Sequence, residues 1–222
     1  SDFDTFVAEA HRTNFPDVPH VHGDICETIV KQEIYSIVDN AKKEHGDIDL
    51  VVGGPPCQGF SNAGPNIAND PRNKLYRQYL RVIRKIKPKS LFFENVPGFC
   101  KRYGLNLQEH LVKSLEKIGY RVASGKIFSC FYGVPQLRER FILIGVHKKF
   151  TKHESITLPP ESWTIEEINK QLTAERVIGD LNSYSEYGGG TDKELENYKK
   201  PARTPFQREM RRISGTTKKG KT

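Results

Sequence analysis

Three short extended runs, Ile48–Val52, Ser90–Glu94 and Phe141–Val146, alternate with segments of helical periodicity, and this rhythm restricts the chain to an open α/β sheet. Between the first two, Asn73–Ile86 sets Leu75, Tyr76, Tyr79, Leu80, Ile83 and Ile86 three to four residues apart, which gives a helix one apolar face toward a sheet. Lys87-Pro88 then ends that helix. The same reasoning predicts helices near Thr5–Thr13, Thr28–Lys43 and Leu107–Ile118, and strands near Val18–His22 and over Tyr120–Phe131. Phe141–Val146 is apolar throughout, as strands buried on both faces are. The expected fold class is α/β: an open, mostly parallel twisted sheet with helices on both faces. Past Lys148 the rhythm fades, so residues 1–150 read as one domain. Residues 151–222 read as a connector with Pro159-Pro160, a helix at Thr164–Leu172, the glycine run Gly188–Gly190 and a basic end.

Charge narrows the class of partner. The net charge of +8 resides in residues 199–222, which hold nine Lys/Arg against one acid, Glu209, and leave the rest neutral overall. Such a segment attracts phosphate and releases counterions, which favours nucleic acid; a solvated tail is the bland reading of the same charges. No run of about 18 apolar residues and no basic-then-apolar start is present, so neither a membrane span nor a signal peptide is expected, and the protein should stay inside the cell. Cys26, Cys57, Cys100 and Cys130 are widely spaced without a CxxC pair, which argues against both zinc and a disulfide framework.

Three sequence elements carry chemistry. Ile48–Val52 runs into GGPPCQGFS (Gly53–Ser61), so Cys57 sits on a Gly/Pro-rich loop at the carboxyl end of a strand, where open α/β sheets bind ligands. The prolines stiffen its approach and the glycines admit a flat substrate. A lone loop cysteine is more often a small buried residue. Glu94 in FFENVPGF (Phe92–Phe99) ends an apolar strand, where partial desolvation would help a carboxyl hold a proton, although a capping or salt-bridged glutamate is the commoner case. In YGVPQLRERFILIGV (Tyr132–Val146), Arg138 and Arg140 lie two apart on an extended segment and can present planar donor forks to one side. None of the chain's seven histidines falls in these elements, which disfavours a thiol hydrolase.

The order PCQGFS, ENV, QxRxR, each at the mouth of a strand, resembles the DNA (cytosine-5) methyltransferase family, over residues 2–212. The resemblance implies a class I, Rossmann-like fold using S-adenosyl-L-methionine on double-stranded DNA. It makes Cys57 the nucleophile, Glu94 the proton donor, and Arg140 and Arg138 the groups that hold Glu94 and the base. It further implies that Asp2 and Phe3 hold the cofactor's ribose and adenine, that Asp24 and Ile25 meet the adenine edge, and that Pro56 and Leu75 complete the site. DPRNKLY (Asp70–Tyr76) is similar to the motif after the cysteine loop, and PFQREMRR (Pro205–Arg212) to the stretch leading toward a target-recognition domain. The family's first glycine-rich motif, its recognition domain and its last motif have no counterpart here. The catalytic domain is therefore expected to be partial, lacking its first strand, with a complementing subunit or further segments as a partner. Two neighbouring readings stay open: a relative that methylates transfer RNA, and an inactive or partner-dependent module of the same fold.

Overall fold

The computed structural model describes residues 1–56, 75–102, 105–179 and 200–213. The chain forms two compact units, residues 1–127 with 139–159, and residues 128–138 with 160–222.

The first unit opens with α1 (Thr5–Asn14), whose N-cap Asp4 accepts from the Phe6 and Val7 amides, and α2 (Thr28–His45), which stops at Gly46 with φ of 84°. There follow β1 (Leu50–Gly53), α3 (Tyr76–Ile86) and β2 (Ser90–Asn95), then the short antiparallel pair β3 (Lys101–Arg102) and β4 (Leu105–Asn106). The helix α4 (Leu107–Lys117) and the strands β5 (Tyr120–Phe128) and β6 (Glu139–His147) complete the set. Helix α3 ends as its sequence requires: Lys87 takes a left-handed turn at φ 50°, its amide bonds the Ile83 carbonyl, and Pro88 blocks any continuation.

The strands form a four-stranded sheet in the order β1-β2-β6-β5. β1 and β2 run parallel, from Leu50 opposite Ser90 to Gly53 opposite Phe93, whereas β6 lies antiparallel to β2. The sheet is thus mixed, and the expectation of a mostly parallel one is corrected. The physical reason is the short 129–138 connection between β5 and β6, which cannot hold a crossover helix, so the two strands return beside each other head to tail. Lys148 N–H to Gly119 O, 2.9 Å, closes that pairing. The expected strand at Val18–His22 reduces to a single parallel bridge between Asp2 and His22, and the expected Tyr120–Phe131 strand stops at Phe128 in a 3₁₀ turn, Ser129–Tyr132.

The core lies on one face of the sheet. Alternation along β2 sends Leu91 and Phe93 inward, where they meet Phe141 and Leu143 of β6. Tyr79, Leu80 and Ile83 of α3 and Leu107, Leu111 and Leu115 of α4 close over them. Phe93, Phe99 and Phe141 pack ring to ring, with centroids 5.2 Å and 5.5 Å apart for the two contacts of Phe99. On the opposite face Leu50 and Val52 of β1 are 52% and 64% exposed, whereas Ile142 of β6 is buried.

The second unit is built around short helices. The Ser162 and Trp163 amides donate to the Phe131 carbonyl, and Thr164 and Glu167 form a reciprocal capping box for α5 (Ile165–Gln171), within the helix expected over Thr164–Leu172. Helix α7 (Pro205–Ile213) docks on α6 (Ala174–Ile178). Gln207, 3% exposed, accepts from the Arg203 and Thr204 amides, while the Thr204 hydroxyl donates to the Arg176 carbonyl.

Two substitutions test this packing. A Cβ at Gly53 would lie 2.4 Å from the Tyr79 ring, so Gly53→Ala must displace that ring and strain the bond from the Tyr79 hydroxyl to the Phe92 carbonyl. A loss of about 1–3 kcal/mol in urea unfolding is expected. Phe93→Ala, which empties the centre of the core, should cost about 3–5 kcal/mol in the same assay. Unchanged midpoints would contradict the packing described.

Candidate active site

The carboxyl end of β1 is the meeting point of the first unit. The parallel bridge between Asp2 and His22 brings two distant segments together; Gly23 N–H donates to Asp2 O at 3.0 Å, and the His22 ring Nε2 lies 3.0 Å from Phe3 O. Asp2 and Phe3 are thereby held beside Asp24 and Ile25. Together with Val51–Pro56 of the β1 end and Leu75, Gln78 and Tyr79 at the start of α3, they line a cavity of about 430 Å³. That volume lies within the roughly 300–1,000 Å³ of small-molecule sites. All six positions expected to hold a cofactor, Asp2, Phe3, Asp24, Ile25, Pro56 and Leu75, line this one cavity.

The cavity's chemistry fits an adenosine-bearing group. Each carboxylate already uses one oxygen on backbone, Asp2 Oδ1 accepting from Asp4 N–H at 3.0 Å and Asp24 Oδ1 from Cys26 N–H at 2.7 Å. These bonds fix the orientation of the two carboxylates at the cavity. Phe3, 69% exposed, offers an apolar ring face at the rim. Tyr79 forms the floor; burial pushes its hydroxyl well above the ordinary tyrosine range, so it remains a neutral donor to Phe92 O.

Beside this cavity lies a second cluster on the other face of β2. Glu94 alternates away from the core, and its Oε1 pairs with Arg140 Nε of β6 at 2.9 Å. The Glu94 side chain is 40% exposed and that of Arg140 21%, so the carboxylate is more open to water than a strand-end glutamate would suggest. Arg140 also donates to the Glu139 carbonyl at 2.7 Å, which anchors the guanidinium. Glu94 Oε2 lies against Gly54: a Cβ there would be only 3.4 Å away. The carboxylate thus borders the Gly54-Pro55-Pro56 segment that leads to Cys57.

Cys57 itself lies outside the described residues, as do Asp70–Lys74. Arg138 belongs to the second unit, is exposed and forms no ion pair among the described residues; the geometry joins Arg140, and not Arg138, to Glu94. The remaining cysteines offer no activated thiol: burial pushes the thiols of Cys26 and Cys100 up, with Asp24 adding to the effect at Cys26, and Cys130 is buried. Two residues with evident roles at the site escaped the sequence reading, Tyr79 and Asn95. Asn95 is 3% exposed and its Nδ2 donates to the Pro55 carbonyl at 3.1 Å. The signal was present, since Asn95 is a polar residue at a core-facing position of β2.

No group of three or more His, Cys, Asp or Glu side chains suited to a metal ion occurs among the described residues, and none of their helices is long and apolar enough to cross a membrane. Known proteins share this arrangement. The solved structure of a DNA modification methyltransferase homologue encoded within an E. coli prophage matches with a TM-score of 0.58 at 24% identity, over 82% of this chain and 47% of that one. A DNMT2 variant from Spodoptera frugiperda matches with a TM-score of 0.52 at 20% identity, over 73% of this chain and 47% of that one. These likenesses show that the chain shares the fold of those structures. In sequence, the type II methyltransferase M.DdeI of Desulfomicrobium norvegicum is 30% identical over 95% of this chain and 48% of its own length. M.AquIA of Picosynechococcus is 34% identical over 78% of this chain and 73% of its own length. The chain spans about half the length of M.DdeI and a third to a half of most such relatives. With the C-5 cytosine-specific DNA methylase profile matching residues 1–221, the chain belongs to that family.

Proposed function

We propose that this protein transfers a methyl group from S-adenosyl-L-methionine to carbon 5 of cytosine in double-stranded DNA. The observation that carries the reading is the convergence of six expected cofactor positions on one cavity, with the segment leading to Cys57 and the Glu94–Arg140 pair at its edge. The type II relatives suggest a restriction–modification setting.

Carbon 5 of cytosine is a poor nucleophile until a thiolate adds to carbon 6. Cys57 supplies that thiolate, forming a C–S bond and pushing electron density toward ring nitrogen 3. Glu94 donates a proton there and stabilises the adduct. Arg140 keeps Glu94 oriented and, in this reading, bonds the ring carbonyl oxygen, with Arg138 assigned a supporting contact to the base or a phosphate. The cofactor, when bound, supplies a methyl on a positively charged sulfur. Asp2, Phe3, Asp24, Ile25, Pro56 and Leu75 would hold it. Loss of the carbon 5 proton and departure of Cys57 then restore the aromatic ring. These atoms are inaccessible inside a duplex, so the base must flip out at a cost of a few kcal/mol.

The reading makes three predictions. Cys57→Ser should abolish transfer of a labelled methyl group to DNA while leaving cofactor affinity nearly unchanged; retained transfer would remove Cys57 from the mechanism. Glu94→Gln keeps the shape of the side chain but has no carboxyl proton to give. Transfer should slow about 10²–10⁴-fold with little change in DNA affinity, and activity near wild type would exclude Glu94 as the acid. Finally, β1 is the end strand of the described sheet, with Leu50 and Val52 exposed. Calorimetric titration should therefore find weak cofactor binding by this chain alone, tightening when segments bearing the family's first and last motifs are added. Tight binding and methylation by the isolated chain would refute that partner dependence.

A further inference from the structure

We infer that Asn95 is a positioning residue for the nucleophile: its side-chain amide continues the β1–β2 ladder past the point where two prolines end it, and so sets the direction in which the chain leaves for Cys57. The inference rests on the reading of Cys57 as the nucleophile.

The register carries the argument. β1 and β2 pair in parallel with Leu50 opposite Ser90 and Gly53 opposite Phe93, and continuing the same offset places Pro55 opposite Asn95. A parallel ladder needs an N–H from each strand in turn, and neither Pro55 nor Pro56 has one. The backbone pairing therefore stops at Gly53. At the position where the next ladder bond is missing, Asn95 Nδ2 reaches across and donates to Pro55 O at 3.1 Å. Its other end is already committed, because Oδ1 accepts the Val96 amide at 3.0 Å, and this fixes which face of the amide meets Pro55.

Burial makes the bond consequential. Asn95 follows Leu91 and Phe93 on the core-facing side of β2 and is 3% exposed, a setting where an amide is costly unless both ends are bonded. Here both are. The proline rings hold φ of Pro55 and Pro56 near −65°, and pinning the Pro55 carbonyl fixes ψ of Pro55 as well. One side-chain hydrogen bond thus sets the course of the backbone two residues before Cys57. Proximity effects are steep enough that about 1 Å of misplacement costs about 10²-fold in rate.

The test uses the full-length protein, S-adenosyl-L-methionine and DNA carrying 5-fluorocytosine at the target, on which Cys57 stays covalently bound after methyl transfer because carbon 5 then holds fluorine and has no proton to lose. Asn95→Asp is isosteric and keeps the oxygen that Val96 uses, but sets a carboxylate oxygen against Pro55 O. At alkaline pH the saturated rate of adduct formation should fall about 10²-fold relative to wild type, with the DNA concentration for half-saturation little changed. As pH falls, the buried carboxyl takes up a proton and regains an O–H donor to Pro55, so the ratio of variant to wild-type rate should climb. Asn95→Ser, too short to reach Pro55 and an independent check should the aspartate variant fail to fold, should show the same deficit without recovery in acid. Alkylation of Cys57 by iodoacetamide without DNA should proceed alike in all three proteins, which a general loss of structure would not allow. A wild-type rate in either variant, or an Asn95→Asp deficit that is flat with pH, overturns the inference. Failure of the wild-type protein to form any adduct instead overturns the reading of Cys57, and this inference with it.

Discussion

The two-residue alternation of β2 is the constraint on which the rest of the arrangement depends. One set of side chains, Leu91, Phe93 and Asn95, points into the core under α3 and α4, while Phe92 and Glu94 point to the other face. A slip of one residue in register would bury the Glu94 carboxylate among phenylalanines and expose the core. Such a slip is blocked on both flanks, by the parallel pairing to β1 and the antiparallel pairing to β6. The same strand thereby anchors the core, orients Glu94 toward Arg140 and ties down Pro55.

Helix α3 does comparable double work. Its inner face supplies Tyr79, Leu80 and Ile83 to the core, and its first turn supplies Leu75, Gln78 and Tyr79 to the cavity wall. Gly53 is small because the Tyr79 ring occupies the place of a Cβ. Core packing and the shape of the cavity are therefore coupled through one aromatic residue. Opposite it, the cavity's other wall depends on the Asp2–His22 bridge and three hydrogen bonds between the two segments.

Much of this was legible in the sequence, and the gaps have physical causes. Periodicity located α2, α3 and α4 to within a few residues, and Lys87-Pro88 marked a real helix end. Strand direction was not legible, because an apolar run such as Phe141–Val146 reads alike in parallel and antiparallel sheets; only the short 129–138 connection carried that information. Val18–His22 was over-read as a strand, since one bridge to Asp2 is all that pairs with it. For the site, the resemblance named positions far apart in sequence, and the fold brings six of them to one cavity. Asn95 and Tyr79 went unremarked because their roles arise from register and packing: a Pro55 carbonyl without a ladder partner, and a glycine beneath a ring.

In the function proposed, the cavity between the Asp2–His22 bridge and the end of β1 holds the cofactor. This can be tested even where affinity is low, by titrating S-adenosyl-L-homocysteine into isotope-labelled protein and following backbone amide shifts by NMR. The largest shifts should fall on Asp2, Phe3, Asp24, Ile25, Gly54 and Leu75, with Leu111 and Leu115 in the core unmoved. Shifts confined to the Glu94–Arg140 face or to the second unit, with the cavity residues silent at saturation, would contradict it.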